Sequence, residues 1–120
     1  MTTGKSGFHV FYETDRKRDF DQVRQEIRQM AEDLASRHPK LLTTEVRINK
    51  RENRVCIDCQ RNAYAQTSVC PFSLRANGSA GVATPKEWEE LDKISSGDHF
   101  KFKNIFRRLE DQGSLAVFLG

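Results

Sequence analysis

The alternation of apolar and polar positions divides the chain into short segments around one long helical stretch. Residues 1–7 are rich in Thr, Gly, Lys and Ser and read as a loop, and the aromatic-rich run at residues 8–13 predicts a strand. After a charged turn at 14–18, Asp19 stands where a helix N-cap is expected. Phe20, Val23, Ile27, Met30, Ala31 and Leu34 then recur at helical spacing on one face. The His38-Pro39 pair ends that helix, because the residue before a proline is pushed out of the helical region. Residues 43–49 alternate loosely and predict a strand, 50–54 a turn, and 55–59 a second apolar strand. A third strand is expected over 67–74, with Pro71 marking an edge or a bulge.

The remainder reads as helices joined by loops. Residues 76–81 form a glycine-containing loop. Thr84-Pro85 has the form of a helix start, a threonine cap followed by proline in the first turn, and predicts a helix through Leu91. Residues 95–98 read as a linker, and 101–109 as a short amphipathic helix with Phe102, Ile105, Phe106 and Leu109 on one side. Residues 114–119 are again apolar. There is no internal repeat and no low-complexity tract.

At 120 residues the chain amounts to one domain at most, and its 37% hydrophobic content suits a folded protein. No apolar run approaches the ~20 residues needed to cross a bilayer. The N-terminus carries no signal-like apolar segment, so a cytoplasmic location with no membrane association is expected. A formal net charge of +3 permits a nucleic-acid partner without requiring one. Three cysteines, an odd number, read as reduced thiols.

Four clusters could carry chemistry. The first is the segment Thr2-Thr3-Gly4-Lys5-Ser6-Gly7-Phe8-His9. Its glycines let backbone N–H groups approach an anion, and its lysine and hydroxyls could complete a phosphate cradle. It does not read as a P-loop: the glycine that motif needs five residues before Gly4 falls at a position the sequence does not reach, and a strand rather than a helix is expected next. The plain alternative is a flexible turn. The second is Cys56-Ile57-Asp58-Cys59, where a strand aspartate between apolar neighbours calls for a partner or a metal. On a strand the two sulfurs would point apart, a poor zinc clamp. The third, Asp19-Phe20-Asp21, has the D-x-D spacing of a metal pair but sits where a helix begins, so capping is the expected role. In the fourth, Pro71-Phe72-Ser73-Leu74-Arg75, Ser73 and Arg75 share a strand face, and the arginine can either fork onto phosphate oxygens or lie solvated.

Taken in order, these segments resemble the polymerase domain of bacterial ligase D, of the archaeo-eukaryotic primase superfamily. The resemblance runs through the TGxxGxH pattern ending at His9, Val55-Cys56-Ile57-Asp58, Arg61-Asn62-Ala63-Tyr64-Ala65-Gln66-Thr67 and residues 71–75. It continues through residues 83–91 and Lys103-Asn104-Ile105-Phe106-Arg107-Arg108-Leu109.

It implies an α/β (α+β) fold, with a mostly antiparallel sheet carrying helices on one face, as part of a primase-polymerase catalytic domain. It also implies nucleotidyl transfer in DNA end-joining repair by a two-metal mechanism using Mg2+ or Mn2+ and a nucleoside triphosphate. By this likeness Asp58 matches the third metal carboxylate. His9 and the loop Thr3, Gly4, Lys5, Ser6 and Gly7 match the part that meets the incoming nucleotide, and Arg75 matches an arginine that reaches the triphosphate. DNA is the implied macromolecular partner, with a DNA ligase and an end-binding protein as possible associates.

Two departures stand out. The family's first two metal aspartates form a D-x-D upstream of the loop, so the chain is expected to be the C-terminal half of the domain and inactive alone. Ser6 also stands where the family carries a basic residue, with Lys5 one position early. Two other readings stay open: a non-catalytic nucleotide- or DNA-binding module, and a small zinc-bound structural protein using Cys56 and Cys59.

Overall fold

The longest element begins where the sequence places it. In the computed structural model, which describes residues 1–111, helix α1 spans Phe20–Arg37. Asp19 caps it reciprocally: its carboxylate accepts from the Gln22 amide at 2.8 Å, while the Gln22 side chain accepts from the Asp19 amide at 3.0 Å. Two N–H groups that a helix start leaves orphaned are thereby satisfied. The D-x-D of Asp19 and Asp21 is therefore capping chemistry. On the solvent side, Arg28 pairs with Glu32 and Arg37 with Asp33, one helical turn apart.

The chain divides into two compact units: Glu13–Ser68, and Met1–Tyr12 together with the chain from Val69 on. In the first of these, α1 packs against strand β1, Leu42–Thr43, with Ala31 buried. β1 pairs with β2, Val55–Cys56, in parallel, Leu42 opposite Val55 and Thr43 opposite Cys56.

This corrects the expectation of a mostly antiparallel sheet, since the one sheet among the described residues has two strands and is parallel. The physical reason lies in the connection. Residues 44–54 fold into a crossover with a 3-10 turn at Ile48–Lys50, too long for a hairpin and near the length a parallel return needs. Arginine side chains hold it: Arg51 donates to the carbonyls of Glu45 at 3.0 Å and Val46 at 2.7 Å, and Arg54 to that of Arg51 at 3.0 Å. Of the strand expected over 43–49 only Thr43 thus lies in β1, and the one expected over 55–59 shortens to Val55–Cys56.

Among the described residues of the other unit there is no regular strand, and isolated antiparallel bridges join its segments. Thr2 pairs with both Phe8 and Thr84, Leu74 with Val82, and Gly81 with Lys101. Thr2 and Thr84 are fully buried, and Val82, Ala83 and Ile105 form the apolar centre beside them. Of the strand expected over 8–13 only Phe8 bridges a neighbour, and of that over 67–74 only Leu74. Phe72, in the segment after Pro71, is held at φ +64°, a strained backbone for a bulky residue that ends any regular extension there.

The helix expected to start at Thr84-Pro85 begins later. Thr84 donates its amide to the Thr2 carbonyl at 3.1 Å, and Thr2 donates to the Thr84 carbonyl at 2.9 Å, so Thr84 is extended rather than a cap. Glu87 takes the capping role in a reciprocal arrangement with Glu90, opening a 3-10 helix at Trp88–Lys93. Helix α2, Phe102–Asp111, follows and buries Ile105. The apolar stretch at 114–119 lies outside the described residues.

One ion cluster ties these last elements together. Arg108 of α2 grips Glu90 with both guanidinium nitrogens, at 2.7 and 3.1 Å, and also donates to the Pro85 carbonyl at 3.2 Å. Lys86 reaches the same carboxylate at 2.8 Å. The Phe100 ring lies 4.2 Å from the Lys86 ammonium and 5.1 Å from the Arg108 guanidinium carbon. Among the described residues no helix is long and apolar enough to cross a membrane.

Candidate functional site

The first candidate segment folds into a tight loop that holds itself shut. Thr3 is its staple. The Thr3 hydroxyl donates to the Gly7 carbonyl at 3.0 Å and accepts from the amides of Lys5 and Gly7, each at 3.3 Å. The Thr3 amide also donates to the Gly7 carbonyl, at 3.0 Å, and the Gly4 amide to the Gly97 carbonyl at 2.9 Å. The amides of Thr3, Gly4, Lys5 and Gly7 are therefore engaged within the protein instead of facing an anion. At the exposed tip remain the Lys5 ammonium, the Ser6 hydroxyl and the Ser6 amide. His9 continues the loop, donating its amide to the Met1 carbonyl at 2.8 Å, with its half-buried imidazole edge-on to Phe11 at 5.9 Å.

Three glycines let the loop pack backbone to backbone. Gly4 is buried at φ +71°, and a Cβ there would stand 2.6 Å from Cγ of Arg75 and 3.0 Å from the Ala83 amide. A Cβ on Gly81 would stand 2.1 Å from the Gly4 carbonyl oxygen, and one on Gly97 2.5 Å from the Gly7 amide. The aliphatic stem of Arg75 thus lies over Gly4. Its own backbone is fixed by donation to the Gly81 carbonyl at 2.8 Å. Two residues that the sequence reading associated only through the family pattern, Gly4 and Arg75, are neighbours. The stem of Arg75 therefore lies against the loop that carries Lys5 and Ser6.

Sequence reasoning missed Gly81, Gly97 and Asn77. Gly81 counted only as a loop glycine and Gly97 as part of a linker. Nothing local distinguishes them, because the atoms they make room for lie far off in sequence. Asn77 links the turn after Arg75 to the loop, its side-chain amide donating to the Gly4 carbonyl at 3.0 Å.

Asp58 belongs to the other unit and departs from the expected strand position. β2 ends at Cys56, and Asp58 is exposed in the turn beyond it, where its carboxylate accepts from the Gln60 amide at 2.9 Å. A hard divalent cation takes about six oxygen ligands. Among the described residues no three His, Cys, Asp or Glu side chains gather to hold a metal, so Asp58 does not make a metal site there. Cys59 points its sulfur toward the Ile27 carbonyl at 3.8 Å. Burial first, and then the negative charges of Asp58 and Cys56, raise its thiol above the ordinary range and keep it protonated. Among the described residues the Cys56–Cys59 pair has too few further ligands beside it for the four that a structural zinc takes. An open depression of about 640 Å³ in the same unit is lined by residues that include Thr43, Glu45, Asn49, Lys50 and Arg54.

The chain belongs to the LigD primase-polymerase domain family, whose pattern it matches over residues 1–116. It is 28% identical over 115 residues to the multifunctional non-homologous end joining protein LigD of Mycolicibacterium smegmatis, which covers 96% of this chain and 15% of that protein. To the bifunctional non-homologous end joining protein LigD of Bacillus subtilis it is 30% identical over 94 residues, 78% of this chain and 15% of that protein. The corresponding LigD of Pseudomonas aeruginosa is 24% identical over 110 residues, 92% of this chain and 13% of that protein. The chain thus spans about 15% of the length of these relatives.

Proposed function

We propose that residues 3–7 and Arg75 bind the triphosphate of an incoming nucleotide, in a nucleotidyltransferase that extends DNA ends during end-joining repair. The observation that carries this reading is the packing of Arg75 over Gly4, possible only because position 4 lacks a Cβ. Lys5 and Arg75 supply positive charge, Ser6 a hydroxyl and a free amide, and Thr3 holds the loop in shape. His9, one residue past the glycine loop's bridge, stands beside the nucleotide.

In this reading Asp58 contributes one carboxylate to a divalent cation, Mg2+ or Mn2+, whose other ligands lie outside the described residues. The chain acts as part of a larger polymerase domain. That is consistent with the exposure of large apolar side chains such as Val10 at 76% and Trp88 at 70%, which a folded protein ordinarily covers. A DNA ligase and an end-binding protein are the partners this reading expects.

Arg75→Ala tests it. The Arg75 guanidinium has no ion-pair or hydrogen-bond partner among the described residues, so its loss should leave the fold intact. A charge-assisted contact to phosphate is worth roughly 1.5–3 kcal/mol, so triphosphate affinity should fall about ten- to a hundredfold. Isothermal titration of a nucleoside triphosphate, with a melting curve as control, measures both. Equal affinity in the two proteins would mean that the arginine serves only the surface.

A further inference from the structure

Asn77 sits two residues beyond Arg75 and joins the Arg75 turn to the loop. Its side-chain N–H donates to the Gly4 carbonyl at 3.0 Å. Its side-chain oxygen accepts from the Ser79 hydroxyl at 3.1 Å and the Gly81 amide at 3.3 Å. Its backbone amide donates to the Arg75 carbonyl at 2.8 Å, and its own carbonyl accepts from Ala80 at 3.0 Å. One carboxamide therefore closes the turn that carries Arg75 and, across 73 residues of sequence, grips the peptide that carries Lys5.

We propose that Asn77 is a positioning residue for the phosphate-binding loop: it locks the Gly4–Lys5 peptide to the Arg75 turn, so that the Lys5–Ser6 tip and the Arg75 guanidinium address one anion together. This rests on the reading of the loop given above and adds to it how the two halves of the site are held in register.

The geometry explains why an amide is needed. The Gly4 carbonyl lies against Gly81, with room for no side chain between them. Its oxygen faces a donor on Asn77, and the turn amide of Gly81 faces an acceptor on the same side chain. Asparagine offers both on separate atoms of one short planar group, whereas a hydroxyl must serve both from a single oxygen. Aspartate would keep the turn and set an acceptor against the Gly4 carbonyl. Serine would keep a short acceptor for the turn, add no charge, and fall short of Gly4.

The role differs from a purely structural one in what it predicts for binding. Asn77 acts on phosphate through Lys5, Ser6 and Arg75, so its loss should affect the triphosphate and spare the nucleoside. It should also be non-additive with loss of Arg75, because both changes disable the same contact.

The test uses the full chain in two measurements. In the first, Asn77→Ser should weaken binding of a nucleoside triphosphate roughly three- to tenfold, as expected for one lost hydrogen bond. Nucleoside binding should not change, and in the Arg75→Ala background the serine variant should cost no further affinity. Additive losses, or equal losses for nucleoside and triphosphate, would overturn the proposal.

The second measurement needs no ligand. Amide hydrogen exchange at Lys5 and Gly7 should accelerate about tenfold in both Asn77→Ser and Asn77→Asp, since the loop loses its anchor. Unchanged exchange at those two amides would also overturn it. Faster exchange in a chain that binds no triphosphate, wild type included, would instead remove the nucleotide reading and leave Asn77 as the anchor of the loop.

Discussion

Alanine at position 81 is expected to destabilise the unit containing the glycine loop by about 3 kcal/mol or more, the upper range for overpacking. The added methyl would stand 2.1 Å from the Gly4 carbonyl oxygen, 2.8 Å from its carbonyl carbon and 3.1 Å from its Cα. All three are backbone atoms, so no rotamer change relieves the clash. Neither side can step back easily. Gly81 accepts from the Arg75 amide at 2.8 Å, and Gly4 is held from its other side by the Gly97 carbonyl at 2.9 Å. Gly78, three residues away in the same turn, is the internal control, because a Cβ there meets nothing within 4 Å. Urea unfolding should show Gly78→Ala within roughly 0.5 kcal/mol of wild type, as for surface changes generally. A Gly81→Ala protein as stable as the Gly78→Ala protein would refute the backbone packing on which the loop's shape depends.

The second large effect concerns Glu90. Arg108 beside it, then Lys86 and the Glu87 amide, hold its carboxyl down at about 2 against an ordinary 4.5, overcoming the opposing effect of burial. A group whose folded value is depressed stabilises the protein above its unfolded value, and that stability drains away as pH falls toward the folded one. The window is therefore pH 4.5 down to about 2. At 1.36 kcal/mol per unit the full contribution is on the order of 3 kcal/mol.

Glu90→Gln should lose about that much at pH 7, since it leaves the Lys86 side chain, 5% exposed, and the Arg108 side chain, 11% exposed, as two cations with no carboxylate between them. Unfolding measured at pH 7, 4 and 2.5 should find the gap between the two proteins closing as acid is added. A gap that stays constant across that range would show that charge on Glu90 is not what holds Pro85, Lys86 and α2 together.

What the sequence made legible was local. α1 was readable because its cap, Asp19 with Gln22, and its apolar stripe are all written within 20 consecutive residues. α2 was readable from its spacing for the same reason. Thr84-Pro85 misled because its local signature is a good one, yet the Thr84 amide is taken by Thr2, 82 residues earlier. The antiparallel expectation failed where arginine side chains fold residues 44–54 into a crossover, a tertiary effect that alternation of polar and apolar positions does not encode.

The candidate site followed the same division. Gly4, Lys5, Ser6 and Arg75 were marked by residue type and by family likeness, while Gly81, Gly97 and Asn77 were marked by nothing nearer than a contact across the fold. Asp58 was marked by likeness, but its place in an exposed turn beyond β2 was not, because two residues of strand carry too weak a pattern to fix an end.

The central claim, that the glycine loop and Arg75 receive a triphosphate, is most directly tested by titrating a nucleoside triphosphate into isotope-labelled chain and following each N–H by NMR. Shifts should gather at the amides of Lys5, Ser6 and Gly7 and at the Arg75 side-chain Nε, with the nucleoside alone leaving those signals in place. The amides of residues 45–54, around the open depression in the other unit, should stay still. Shifts confined to residues 45–54, or no response at Ser6 and Arg75 at saturating triphosphate, would contradict the account.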